Sequence, residues 1–244
     1  MKKTITLIFS TFALLIVNAQ EFPKINPNDV EIVRDEWGVP HIFGNTDAEA
    51  AYGLAWANAE DAFKEMQDLL IVGKKMKGKQ EGIDGAKADF FANVIRATEI
   101  VERDYNTLPQ DFLKYIDGYV QGINRYAELH KDEVIVKGSF PITTKDILAT
   151  YVTVMSFLTD ASGALDKIYN GKLDEIPTTG KGSNAFAVNS TRTIDGNTYL
   201  CINPHMQMLG TFSFYEAHIV SNEGLNMHGA LFFGGTSLHE IMNI

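Results

Sequence analysis

Apolar residues recur at helical spacing through the first two thirds of the chain and at alternate positions through the last third. Ala51, Ala55, Ala59, Ala62, Met66 and Leu70 follow one another at steps of three or four, which places them on one face of a helix. Thr46-Asp47-Ala48-Glu49 supplies a capping box at its start. A second box, Thr107-Leu108-Pro109-Gln110, puts a proline inside a first turn and precedes the stripe Phe112, Ile116, Tyr119, Ile123 and Tyr126. A third stripe, Ile147, Tyr151, Val154 and Leu158, follows Thr143 and Thr144. Ahead of these helices, residues 29–34 and 41–43 read as short strands joined by a turn at Trp37-Gly38-Val39-Pro40.

Residues 161–182 break the helical pattern with Ser162, Gly163, Gly171, Pro177, Gly180 and Gly182, the composition of a linker. Beyond it the period becomes two. Residues 184–189, 198–202, 211–220 and 225–233 read as strands, and Asp195-Gly196 marks a hairpin between the first two. Helices followed by strands imply an α+β fold rather than an alternating α/β sheet. The chain divides into a leader (1–19), a helical region (20–160), a spacer (161–182) and a strand region (183–244).

The leader is a targeting segment. Lys2 and Lys3 precede a mostly apolar stretch, residues 5–17, and Val17-Asn18-Ala19 offers a cleavage site. The stretch is shorter than the roughly 20 residues that span a bilayer. The expected mature protein is exported, periplasmic or secreted, and free of the membrane once the leader is removed. Loss of the two lysines takes the net charge from −10 to −12. An acidic chain of this kind lacks the basic surface that nucleic acid requires. The single cysteine, Cys201, excludes an internal disulfide and any paired-cysteine zinc site.

Most motif-like segments fail on context. Gly73-Lys74-Lys75-Met76-Lys77-Gly78-Lys79-Gln80 ends in glutamine where a phosphate-binding loop needs Ser or Thr, and reads as a solvated basic turn. Gly180-Lys181-Gly182-Ser183-Asn184-Ala185 has no strand before it and no helix after it, so it is no dinucleotide fingerprint. His239-Glu240 lacks the second histidine of a zincin, and the spacing of the six histidines forms no ligand cluster. Asn189-Ser190-Thr191 fits a glycosylation acceptor that a bacterial export signal makes empty. What remains is Gly182-Ser183, at the junction of spacer and strand.

Gly182-Ser183-Asn184-Ala185-Phe186-Ala187-Val188 resembles the self-cleavage point of penicillin acylase precursors. Asn203-Pro204-His205 resembles a downstream signature of the acyl-homoserine-lactone acylase branch of that family, with His205 the 23rd residue counted from Ser183. Residues 210–218, with Phe214-Tyr215-Glu216, continue the likeness. Residues 30–42, with Arg34-Asp35 and Gly38-Val39-Pro40-His41-Ile42, are similar to the family's opening strands, and residues 50–61, ending Asn58-Ala59-Glu60-Asp61, to its first long helix. The resemblance runs over about residues 29–240.

The family consists of N-terminal nucleophile hydrolases with an αββα sandwich fold. The resemblance implies that the Gly182–Ser183 bond is cut by the chain itself, the spacer trimmed, and Ser183 left at the start of a β chain paired with an α chain of the same precursor. A serine hydroxyl needs a base before it attacks. A free α-amine, with a pKa of about 7.7–8.0, is such a base on the same residue. The implied substrates are N-acyl amides, either β-lactam antibiotics such as penicillins or N-acyl-homoserine lactones.

His205 is then expected to position that amine or the substrate, with the alternative that it caps the turn after Pro204. Met206 stands where relatives often carry an acyl-pocket phenylalanine, and its flexible thioether suits a linear fatty acyl group. Met155 and Phe157 either face the acyl chain or belong to ordinary core packing. No cofactor is expected. Calcium accompanies full-length family members, but its carboxylates are expected beyond residue 244, as are the oxyanion-hole donors, so a β chain of 62 residues reads as incomplete. The competing expectation is an inactive exported domain that binds acyl ligands or partner chains without hydrolysis.

Overall fold

The computed structural model describes residues 22–159, 161–172, 182–205, 213–232, 234–236 and 239–242. The leader, residues 173–181 of the spacer and Met206 lie outside the described residues. In chain order the elements are β1 (Glu31–Arg34), β2 (Pro40–Gly44), α1 (Asp47–Gly73), α2 (Lys77–Glu81), α3 (Ile83–Val94), α4 (Ala97–Asp104) and α5 (Gln110–Leu129). There follow α6 (Thr144–Leu158), α7 (Ala161–Tyr169), β3 (Ser183–Val188), β4 (Tyr199–Pro204), β5 (Phe214–Ser221), β6 (Asn226–Phe232) and β7 (His239–Met242).

The first hairpin turns at Asp35, whose Oδ1 accepts the N–H groups of Trp37 and Val39, each at 2.9 Å. Helix α1 starts where its capping box predicts. Thr46 Oγ1 accepts the Glu49 N–H at 3.2 Å, and Glu49 Oε2 accepts the Thr46 N–H at 3.1 Å. Its whole predicted stripe, from Ala51 to Leu70, is buried. At Ala62 the backbone leaves helical geometry (φ −153°, ψ 41°) and the helix bends. Helix α6 is capped in the same way by Thr143 and Asp146.

Three expectations about the helices fail. Thr107 caps nothing in α5: its hydroxyl donates to the Asp104 carbonyl at 2.7 Å, and Pro109 occupies the N-cap with no side-chain bond. The stripe of α5 turns inward at Leu113, Ile116, Tyr119, Ile123 and Tyr126, leaving Phe112 exposed, and Leu158 is likewise exposed at the end of α6. Residues 161–169, expected as linker, form α7, because the helix propensity of Ala161, Ala164, Leu165 and Lys167 outweighs the cost of Gly163.

Strands β1, β2, β5, β6 and β7 form one sheet in that order, with β2 and β5 parallel and every other pair antiparallel. Ile42, Ala217, Ile219 and Leu231 on one face join Leu54, Met66, Ile116, Ile123 and Ile147 of α1, α5 and α6 in the core. Each fully buried Leu or Ile there contributes about 1.5–3 kcal/mol. Helices α1 and α5 pack at backbone contact: a Cβ added to Gly118 would lie 2.1 Å from the Ala48 carbonyl oxygen. The fold is α+β, a helical layer against a sheet. Strands β3 and β4 form a separate antiparallel hairpin.

Candidate active site

The β3–β4 hairpin decides which of the candidate residues meet. Its register sets Ser183 opposite Pro204 and Asn184 opposite Asn203, so the start of β3 and the end of β4 lie side by side. The connection runs through residues 189–198 rather than a two-residue turn, with Gly196 at φ +74°. His205 follows β4 directly. The side-chain amides of Asn184 and Asn203 reach its Nε2 at 3.3 and 3.2 Å. An amide N–H donates, so Nε2 is the acceptor and the neutral ring carries its proton on Nδ1. Asn184, Asn203 and His205 thus form one side-chain group made by the cross-strand pairing, while Ser183, next to Asn184 on β3 and paired with Pro204, directs its side chain to the other face of the hairpin.

The site is open. Five of the six residues in each strand are exposed, Ser183 among them. Among the described residues, nothing lies within 4 Å of a Cβ built on Gly182.

The acyl-pocket candidates go separate ways. Met155 lines a small cavity of about 40 Å³ with Leu69, Tyr151, Phe232 and Gly234, between α1, α6 and the end of β6. Neither Ser183 nor His205 is part of its lining. Phe157, two positions further along α6, instead stacks on Phe91 of α3 with ring centroids 4.6 Å apart.

A second polar group joins three segments that lie far apart in sequence. Arg34 of β1 donates to Asp61 Oδ2 at 2.8 Å and to Glu60 Oε2 at 3.2 Å, both at the bend of α1. Tyr215 of β5 donates to the same Asp61 oxygen at 2.7 Å. Burial would pull the Arg34 guanidinium down, but its bonds to Asp61 and Glu60 outweigh burial and hold it above its ordinary value. Burial first, then the bond to Asp61, pushes the Tyr215 phenol above the usual range. Both groups are therefore fixed in their protonated forms at neutral pH.

The rejected phosphate loop is filled from within. The Asp89 carboxylate accepts the N–H groups of Lys77 and Gly78 at 2.9 and 2.8 Å, at the start of α2. Lys77 is no solvated residue either, since it pairs with Asp68 at 3.3 Å and Glu81 at 2.7 Å. Among the described residues, no group of three or more His, Cys, Asp or Glu side chains is placed to hold a metal ion.

Comparison with known proteins agrees with the sequence motifs. The chain is 22% identical over 251 residues to the acyl-homoserine lactone acylase PvdQ of Pseudomonas fluorescens (strain Pf0-1), an alignment covering 90% of this chain and 32% of that protein. It is 27% identical over 100 residues to the penicillin acylase 2 proenzyme of Pseudomonas sp. (strain SE83), covering 40% of this chain and 12% of that protein. The chain thus spans about a third of the length of the curated relatives it matches along most of its own length. Among solved structures, a thermostable penicillin G acylase from Alcaligenes faecalis superposes with a TM-score of 0.42 at 18% identity, covering 63% of this chain and 95% of that one. The penicillin amidase family profile matches residues 29–239, from the first strand through the Arg34–Asp61–Tyr215 group and the Ser183 hairpin. This chain belongs to the penicillin amidase family.

Proposed function

We propose that this chain contributes to an exported hydrolase that cleaves the amide bond of N-acyl compounds, with Ser183 as a nucleophile freed by self-cleavage after Gly182. The observation that carries the reading is the hairpin register, which brings the backbone of Ser183, at the start of β3, beside Pro204 and the His205 that follows it. Once the Gly182–Ser183 bond is broken, the α-amine of Ser183 is the base for its own hydroxyl. On this reading His205 positions that amine or the bound substrate. Family membership and the acylase relatives support the amide chemistry.

The relatives are named for acyl-homoserine lactones and for penicillin. Met206 favours the former, a linear acyl chain, over an aryl-acetyl group. Export rests on residues 1–19, whose basic start and short apolar stretch suit delivery to the periplasm.

Intact-mass spectrometry with N-terminal sequencing tests the assignment. The wild-type chain yields a fragment beginning Ser183-Asn184-Ala185, and Ser183→Ala yields none. Cleavage at the same bond in Ser183→Ala overturns the nucleophile. An uncut wild-type chain fits either an inert acyl-binding domain or a chain that spans only about a third of its relatives' length, and the same measurement with the downstream gene sequence added decides between them.

A further inference from the structure

Three of the six histidines, from three neighbouring strands, share the sheet face turned away from the helices. His41 of β2 is in register with His218 of β5, and His218 with His228 of β6. The His41 and His218 rings meet edge to face, centroids 5.1 Å apart, and their Nδ1 atoms approach to 2.9 Å. His228 stands further off, at 6.3 and 5.8 Å from the two rings, with its Nε2 on Glu216 Oε1 at 2.9 Å.

The opposite nitrogens of the close pair are each provided for. His218 Nε2 lies 2.9 Å from Asn226 Oδ1, an acceptor, so the His218 proton sits on Nε2 and its Nδ1 presents a lone pair. His41 Nε2 faces the Asp35 carboxylate at 3.6 Å, longer than a hydrogen bond, so this contact leaves either His41 nitrogen open to the proton. With the His41 proton on Nδ1, that nitrogen donates to the His218 Nδ1 lone pair; with it on Nε2, toward Asp35, two Nδ1 lone pairs point at one another and a cation between them stabilises the contact.

We propose that His41 and His218 bind one divalent transition-metal ion of the nitrogen-preferring kind, such as Zn²⁺, through their Nδ1 atoms, with water completing the shell. Imidazoles that ligate metals almost always direct the other ring nitrogen to a carboxylate or carbonyl oxygen, the arrangement that Asp35 and Asn226 provide. Zinc–nitrogen bonds of about 2.0–2.1 Å at tetrahedral angles set two ligand nitrogens about 3.3 Å apart, so the pair needs to open by only a few tenths of an ångström. His41 and His218 are both partly solvent-exposed, which leaves water access, and the chain's charge of −10 favours a cation. The ion would clip β2 to β5, the parallel seam that joins residues before Ser183 to residues after it. The site does not depend on the hydrolase reading.

Titration of the metal-free chain with Zn²⁺, by calorimetry and by imidazole ¹⁵N resonances, tests this. One saturable site is expected, with His41→Gln and His218→Gln each weakened at least about tenfold, and His228→Gln within about twofold of wild type. In the wild-type protein, Zn²⁺ shifts the Nδ1 resonances of His41 and His218. Absence of saturable binding, retained binding in either Gln variant of the pair, or an equal loss in His228→Gln overturns the assignment. Unmoved Nδ1 resonances in wild type do the same without any variant, and leave a shared proton as the cation between the rings.

Discussion

The Tyr215 hydroxyl donates to Asp61 Oδ2, and Arg34 donates to the same oxygen from the other side. One carboxylate thereby ties β5 to β1 at the bend of α1, next to Ala62. Removing the hydroxyl leaves the exposed Asp61 carboxylate with Arg34 alone. Tyr215→Phe is expected to lower stability by about 1–2 kcal/mol in urea unfolding, toward the low end for a hydrogen bond to a charged group because Asp61 is exposed. Because burial and Asp61 push this phenol upward, it stays protonated where ordinary tyrosines ionise. The number of tyrosines ionising up to about pH 11 in the folded protein, read at 295 nm, is therefore the same in Tyr215→Phe as in wild type.

The crossing of α1 and α5 depends on glycine. At Gly118 a methyl group would stand 2.1 Å from the Ala48 carbonyl oxygen, and at Gly122 it would stand 2.4 Å from that of Tyr52. Backbone atoms of a packed helix cannot rotate away as a side chain can. Gly118→Ala gains up to about 1 kcal/mol of helix propensity but forces the helices apart, an overpacking cost of about 1–3 kcal/mol or more. Net destabilisation in urea is expected. A variant as stable as wild type would show that the two helices are not in backbone contact.

Legibility in the sequence followed the range of the interaction. The cap at Thr46 is a four-residue pattern and forms as read. The similar pattern at Thr107 fails because the threonine bonds backward to Asp104, a local competition that spacing alone does not settle. Helix α7 was hidden by Ser162 and Gly163 among stronger helix formers. Arg34, Asp61 and Tyr215 each stood in a recognisable motif, yet their meeting requires the parallel pairing of β2 with β5, which no local pattern specifies. The same pairing brings His41 to His218 across 177 positions, where the linear spacing of histidines suggested no cluster. Ser183 and His205 were legible through their motifs, whereas Asn184 and Asn203 needed the register of the hairpin.

The β3–β4 connection carries its own acid sensitivity. The Tyr199 hydroxyl and the backbone and side-chain N–H groups of Asn197 all donate to Asp195. Led by the Tyr199 bond, they hold the Asp195 carboxyl at about 2, below its ordinary 3.8. A depressed carboxylate supports the folded turn above its ordinary value, and that support is lost as pH falls toward about 2. The Asn197 amide resonance is expected to titrate with a midpoint about 2, and Asp195→Asn to abolish that transition. A midpoint at the ordinary carboxylate value would show that the turn does not hold Asp195 in the folded chain.

The two readings of His205, positioning residue or turn cap, part under substitution. With Asn184 and Asn203 both at Nε2, the ring is held from two strands and its Nδ1–H is directed outward. A cap would need no such hold. If His205 also orients the Gly182–Ser183 bond before it is cut, His205→Ala slows formation of the Ser183 N-terminus by about 10²-fold or more, the scale of a lost proton-handling or orienting group. Asn184→Ala, which removes one of two anchors, gives a smaller loss in the same direction. Backbone contacts between Ser183 and Pro204 persist in both variants, because the ladder of β3 and β4 does not use these side chains. The rate is followed by mass spectrometry and the pairing by nuclear Overhauser contacts. A wild-type cleavage rate in His205→Ala with the hairpin intact would reduce His205 to a cap. A lost hairpin would place its contribution in the fold of the turn, and only slowed cleavage on an intact hairpin assigns it to the chemistry at Ser183.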